Sequence, residues 1–243
     1  MPNGFIIYEG KSLLDNKKIV AIALTSKSMN NKTGNMIQTY ILLADIDPRK
    51  ANKSGLDYSI CGACTHRGNP TQDKDRKLAK NRSCYVVIPQ GPLIVWKNYK
   101  LGKYPKTNDI PGIGKDKKIR LGTYGDPSVV PSSIWEQLLS QSISNTAYSH
   151  QSNIKCSSFN PDYMMLSADN LGEAQQAWKN NIRTFRTIKD IKEIIKGNEV
   201  SCPASEEGGR KTTCLNCMLC SGSKINAKSI AIVVHGAGRN NFN

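Results

Sequence analysis

KIRLGTYGDPSVVPSSIWEQLLSQSISNTAYSH, residues 118–150, contains one strand, helix and strand in succession. Residues 118–123 read as a β-strand. Residues 132–143 read as a helix behind Pro131, whose ring suits a first turn, and 146–150 read as extended again. The rhythm continues on both sides of this unit. Further strand-like runs occur at 85–88, 163–167, 183–188, 200–202 and 230–235, and helical segments at 92–99, 171–180 and 190–196. Pro92 suits a first turn, Asn170 a cap, and Gly102 and Gly197 helix ends. Strand alternating with helix calls for a mainly parallel sheet covered by helices. The expected class is therefore α/β, an incomplete or modified β/α barrel, with an open α/β sheet as the alternative.

Upstream of this repeat the pattern changes. Runs rich in Ile, Leu and Tyr at 5–8, 19–24 and 36–44 are separated by Gly10-Lys11 and a polar loop over 26–35, which predicts a small antiparallel sheet. Asp47-Pro48 supplies an N-cap and a first-turn proline for a short helix ending near Gly55. A cysteine knuckle follows at Cys61, and 67–82 is highly charged. These divisions give a β-rich subdomain over 1–60, a knuckle with a basic loop over 61–84, and a β/α domain over 85–243.

Sites in β/α proteins gather in the loops that leave the carboxyl ends of strands. Asp126, His150, Gln151 and His235 all fall there and are the candidate catalytic residues. Each also has a plainer role. Asp126 precedes a proline and suits a turn, Asp169 suits a helix cap, and His235 sits in an apolar strand as a core histidine would.

Seven of the eight cysteines fall into two groups. Cys202 with Cys214, Cys217 and Cys220 supplies four sulfurs, a complete shell for tetrahedral zinc or a [4Fe-4S] cluster. Polar flanks at 211–213 and 221–223 suit a metal site better than a core. Cys61, Cys64 and Cys84 leave one position to fill: His66, Cys156 or an open site for a substrate. In a reducing cytoplasm such spacing reads as metal ligation and not as disulfide bonding.

The chain has 243 residues with 34 Lys and Arg against 19 Asp and Glu, a net charge of +15. An excess of that size predicts acidic partners, nucleic acid first. The candidate contacts are Trp96, Lys97, Tyr99, Lys100, Lys103 and Tyr104, then Lys115, Lys117, Lys118 and Arg120, with Arg183, Arg186 and Lys189 elsewhere. Cations meet phosphate and interleaved aromatics stack on unpaired bases. An AT-rich coding sequence would also enrich lysine. No apolar run approaches the ~20 residues of a membrane helix and no signal-peptide pattern stands at the start, so a soluble, cytoplasmic protein is expected. Walker, G-x-G-x-x-G, H-E-x-x-H and G-x-S-x-G motifs are missing from the sequence.

The stretches 7–10, 32–39, 60–67, 90–92, 124–127, 201–205 and the Cys214 to Cys220 run resemble a family of proteins encoded by bacterial viruses and prophages. The resemblance implies a viral setting in the host cytoplasm and no particular activity. More distantly, a cysteine group leading into β/α units resembles radical-SAM proteins, which implies a cluster acting with S-adenosylmethionine. Their C-x3-C-x2-C run is replaced here by the cysteines at 61, 64 and 84 or by the run at 214. The readings are thus a zinc or iron-sulfur protein working with nucleic acid, a metal-dependent β/α enzyme, and a structural or host-factor-binding module.

Overall fold

The computed structural model describes residues 2–27 and 30–242, so residues 28 and 29 of the polar loop expected over 26–35 lie outside the described residues. The early apolar runs pair antiparallel as β1 (Gly4–Lys11), β2 (Lys18–Leu24) and β3 (Ile37–Leu43). Asp47 then accepts a hydrogen bond from the Arg49 amide to start α1 (Pro48–Ser54), and Gly55, at φ 80°, ends it. The short α2 (Tyr58–Cys61) carries the first cysteine, and α3 (Gly91–Lys100) and α4 (Ile110–Gly114) follow.

From here the expected alternation is realised in part, with β5, β6 and β7 in succession and only a 3-10 turn between β8 and β9: β4 (Lys118–Tyr124), α5 (Ser132–Leu139), β5 (Ser144–Thr146), β6 (Tyr148–Ser149), β7 (Met165–Ala168), α6 (Leu171–Lys179), β8 (Thr184–Ile188), β9 (Glu199–Ser201), α7 (Cys214–Cys217) and β10 (Ser229–Val233). Asn170 caps α6 by accepting from the Glu173 amide at 2.9 Å. Trp135 anchors α5: its ring is fully buried, and its Nε1 donates to the Pro127 carbonyl at 2.7 Å.

Among the described residues the strands form two five-stranded sheets, ordered β1-β2-β3-β4-β5 and β6-β7-β8-β10-β9, and no closed barrel is present. The second sheet is parallel throughout; the first is parallel only over β3, β4 and β5. Ala147 alone separates β5 from β6, so one extended run, 144–149, borders both sheets. Its amide donates to the Cys220 carbonyl, and its own carbonyl accepts from Met165.

Three expectations need correction. The N-terminal strands are not a sheet of their own, because β3 is buried on both faces and pairs in parallel with β4 through Ile37↔Ile119 and Tyr40↔Tyr124. Residues 85–88 form no strand, since the carbonyls of Cys84 and Val86 are taken by the Arg82 guanidinium at 2.9 and 2.7 Å instead of a neighbouring strand. Residues 190–196 give only a 3-10 turn at Ile191–Glu193, as the amide of Ile195 turns away to the Glu199 carboxylate. Among the described residues no helix is long and apolar enough to cross a membrane.

Candidate metal centre

A cavity of about 470 Å³ lies against one face of the strands and the loops at their carboxyl ends. Alternation along a strand selects its lining. Arg120, Gly122 and Tyr124 of β4 line it, with Phe185 and Thr187 of β8 and Ile232 on β10, while Thr123 and the pair Ser167 and Ala168 reach it at the carboxyl ends of β4 and β7, where alternation no longer sorts them. The intervening Ile119 and Leu121 are fully buried in the core behind. Gly122, at φ 63°, lets β4 bend toward Asp126, and a side chain there would meet the Gly125 carbonyl.

Both cysteine groups reach this cavity. Cys61, Cys64 and Cys84 line it from one side, and Cys202 and Cys214 also line it. Cys61 ends α2, Gly62 turns the chain at φ 55°, and Cys64 opens a 3-10 turn at Thr65–Arg67. In the second group Cys214 and Cys217 bracket α7, which Met218 ends in a left-handed conformation. Arg183 sets this loop against β10, with hydrogen bonds to the carbonyls of Leu219 (2.5 Å), Gly222 (3.3 Å) and Lys228 (2.7 Å). All eight cysteines are free thiols, and Cys156 is exposed and apart from the cavity lining.

Burial raises the Cys61, Cys84 and Cys202 thiols, and neighbouring cysteines add to the effect. Cys220 is pushed up to about 12, first by burial and then by Cys202 and Cys214, while a hydrogen bond from Tyr148 works the other way. In the second group it is Cys202 and Cys220 that resist ionisation, with Cys214 close enough to add to the effect on both. A bound cation reverses that sign, since it turns clustered thiolates from mutually repelling charges into ligands.

The candidate catalytic residues have divided roles. Asp126 is buried and accepts four hydrogen bonds: from the Ser128 amide (3.0 Å) and hydroxyl (2.8 Å), the His150 amide (2.9 Å) and the Gln151 side chain (3.1 Å). Gln151 also donates to the Cys61 carbonyl at 3.0 Å and accepts from the Ala63 amide at 3.0 Å. Together they fasten the Cys61 loop to the ends of β4 and β6. His235 lies at the cavity rim, stacked on Tyr85 with ring centroids 5.7 Å apart. His150 instead meets His66 and Asp169. One ligand atom from each of the three lies within 4.8 Å of the others, the one such group of three or more among the described residues.

Sequence reasoning assigned Asp169 to a cap; what it lacked was the register that sets the end of β7 beside the end of β6. It also left out Lys32 and Arg82, which line the cavity, as does Arg120, a residue the sequence offered as a phosphate contact. Burial opposes charge on Arg120, yet Tyr85, Tyr148 and the nearby cysteines outweigh it and hold the guanidinium charged. The Nε of Arg120 and the hydroxyl of Tyr124 are shut off from solvent with no hydrogen-bond partner.

The other basic and aromatic candidates lie outside the cavity lining. Trp96 donates to the Leu43 carbonyl at 3.1 Å, Tyr99 to Glu9 at 2.8 Å, and Tyr104 is buried. Lys97, Lys103, Lys115 and Lys117 are exposed, Lys100 approaches Asp45 at 3.4 Å, and Lys118 donates to the Leu215 carbonyl at 2.8 Å. Arg183 and Arg186 are buried and so leave the surface charge. Comparison with family models, curated proteins and solved structures finds no match to this chain or its fold.

Proposed function

We propose that the chain is a metal-dependent β/α protein that performs chemistry on an anionic ligand held between two thiolate centres. One observation carries this reading: cysteines more than a hundred residues apart in sequence open onto one cavity. A volume of about 470 Å³ is that of a small-molecule site, within the range of roughly 300 to 1,000 Å³. The lining includes Lys32, Arg82 and Arg120, so the ligand is an anion, and the unpartnered Arg120 Nε and Tyr124 hydroxyl are suited to receive its polar atoms. Cys202, Cys214, Cys217 and Cys220 would hold zinc or an iron-sulfur cluster, with the Cys61, Cys64 and Cys84 group as a second metal knuckle; among the described residues no three of these sulfurs lie within 4.8 Å of one another, so the metal would have to draw each group together. Burying thiols together without a metal gains little, whereas a metal gives them a common partner.

Metal analysis of protein isolated without air tests this. At least one metal per chain is expected, and Cys214→Ser should remove it from the second group. A brown protein with broad visible absorption would favour a cluster and S-adenosylmethionine as the ligand to try; a colourless zinc protein would favour zinc chemistry. Protein that is metal-free as isolated and takes up neither zinc nor iron would end the reading.

A second reading, association with nucleic acid, rests on the exposed lysines at 97, 103, 115 and 117 and on the +15 charge. With the aromatic rings engaged inside the fold, contact falls to phosphate. Binding to single- and double-stranded oligonucleotides should then weaken steeply with salt and discriminate little by sequence. Salt-independent binding, or none at low salt, would remove it.

A further inference from the structure

We propose that His66, His150 and Asp169 bind a divalent metal ion, zinc by the nature of the donors, at a site that does not depend on the second cysteine run. Their ligand atoms already lie within 4.8 Å of one another. Nδ1 of His150 and Oδ1 of Asp169 stand 2.8 Å apart. They face each other as an ion pair, which against the opposing effect of burial helps to raise the His150 imidazole and lowers the Asp169 carboxyl, although the angle between them is poor; both atoms are shut off from solvent and have no other partner. A buried pair with a poor angle and no further partner keeps part of its desolvation cost, and a cation shared with His66 would offset it. Zinc lies about 2.0 to 2.2 Å from nitrogen and oxygen ligands, so a small outward movement of the two side chains admits it.

The three groups arrive from separate elements, and each is held from behind. His66 sits in the 3-10 turn, with its Nδ1 2.9 Å from the Ser83 hydroxyl and its ring against Phe242 at 5.6 Å. His150 follows β6, and its amide is tied to Asp126. Asp169 follows β7, and its amide is tied to Glu173 at 2.8 Å. The Cys64 thiol reaches the His150 ring, and Thr65 reaches the Asp169 carboxylate. Outer partners of this kind fix ring orientation in metal sites. Two imidazoles and one carboxylate make a three-donor set that leaves a coordination position open, and His66 and His150 both line the cavity, so that position faces the cavity. His66 thereby belongs with His150 and Asp169 and not with Cys61, Cys64 and Cys84.

Cobalt(II) substitution of the full-length, metal-stripped chain under reducing conditions separates this site from the thiolate centres. Cobalt on nitrogen and oxygen gives visible ligand-field bands, whereas cobalt on cysteine adds a strong near-ultraviolet thiolate charge-transfer band. His150→Gln and Asp169→Asn should each lose one equivalent of cobalt and leave the charge-transfer band intact; Cys214→Ser should do the reverse. Unchanged stoichiometry in both His150→Gln and Asp169→Asn, or loss of the charge-transfer band along with the equivalent, would overturn the assignment while leaving the thiolate reading standing. Should the variants not fold, zinc titration of the unsubstituted chain with labelled imidazoles decides it. The chain has three histidines, and zinc should shift His66 and His150 but not His235; shifts at neither His66 nor His150 would overturn it.

Discussion

Replacing Glu199 with alanine is expected to lower the unfolding free energy by about 3 to 5 kcal/mol, the usual cost of stranding one partner of a buried ion pair. Glu199 is on β9, and Arg186 is two strands away on β8, with β10 between them. Their side chains are 0% and 5% exposed. The guanidinium meets the carboxylate with two bonds, Nε to Oε1 at 2.9 Å and Nη2 to Oε2 at 2.7 Å, and the same carboxylate accepts from the Ile195 amide at 3.0 Å. Removing the carboxylate leaves a cation and an amide in a place water does not reach. Glu199→Gln should cost less, since it keeps an acceptor. The pair Arg186→Met with Glu199→Leu should recover most of the loss, because removing both charges removes the desolvation cost as well. Urea unfolding of the three variants measures this, and a loss below about 1 kcal/mol for Glu199→Ala would mean that the pair is far better hydrated than its packing shows.

Asp126→Ala should come next in size, on the order of 3 kcal/mol, since four donors lose their acceptor and each buried unsatisfied group costs roughly 1 to 3 kcal/mol before relaxation. The consequence should extend beyond stability. Gln151 is aligned by Asp126 and in turn holds the Cys61 carbonyl and the Ala63 amide. Freed of Asp126, the Cys61 loop should loosen and hold metal less tightly, and the first cysteine group should react faster with a thiol reagent while the second does not. Ser128→Ala, which removes a single hydroxyl donor to Asp126, is the control and should cost about 1 kcal/mol. Equal thiol reactivity in the Asp126→Ala chain and the unsubstituted one would show that the loop is held by its own packing.

Much of this architecture was legible in the sequence. The short-range signals were local: Asp47-Pro48 and Gly55 bound α1, and Asn170 starts α6, because caps are satisfied within one turn. Part of the β/α alternation downstream of Lys118 was also plain, since Pro131 and Asn170 mark where α5 and α6 begin between strand-like runs. What the sequence hid were pairings between distant segments. Nothing in residues 36–44 announces that β3 has a second neighbour in β4, and nothing near Asp169 announces His66. Arg186 reads as a phosphate contact until β8 and β9 are placed either side of β10, where Glu199 meets it. The cysteine spacing named both groups of sulfurs but not the cavity they share, because which wall each lines is a property of strand order and not of spacing.

The clasp between Ala63 and Gln151 joins residues 88 positions apart. During synthesis at about 5 to 20 residues per second, the thiols at 61 and 64 therefore leave the ribosome several seconds before the side chain that secures their loop. Over that interval those two thiols are open to oxidants and to adventitious metals. Yield of correctly assembled protein should thus depend more on the redox state and metal supply of the producing cell than on the stability of the finished molecule.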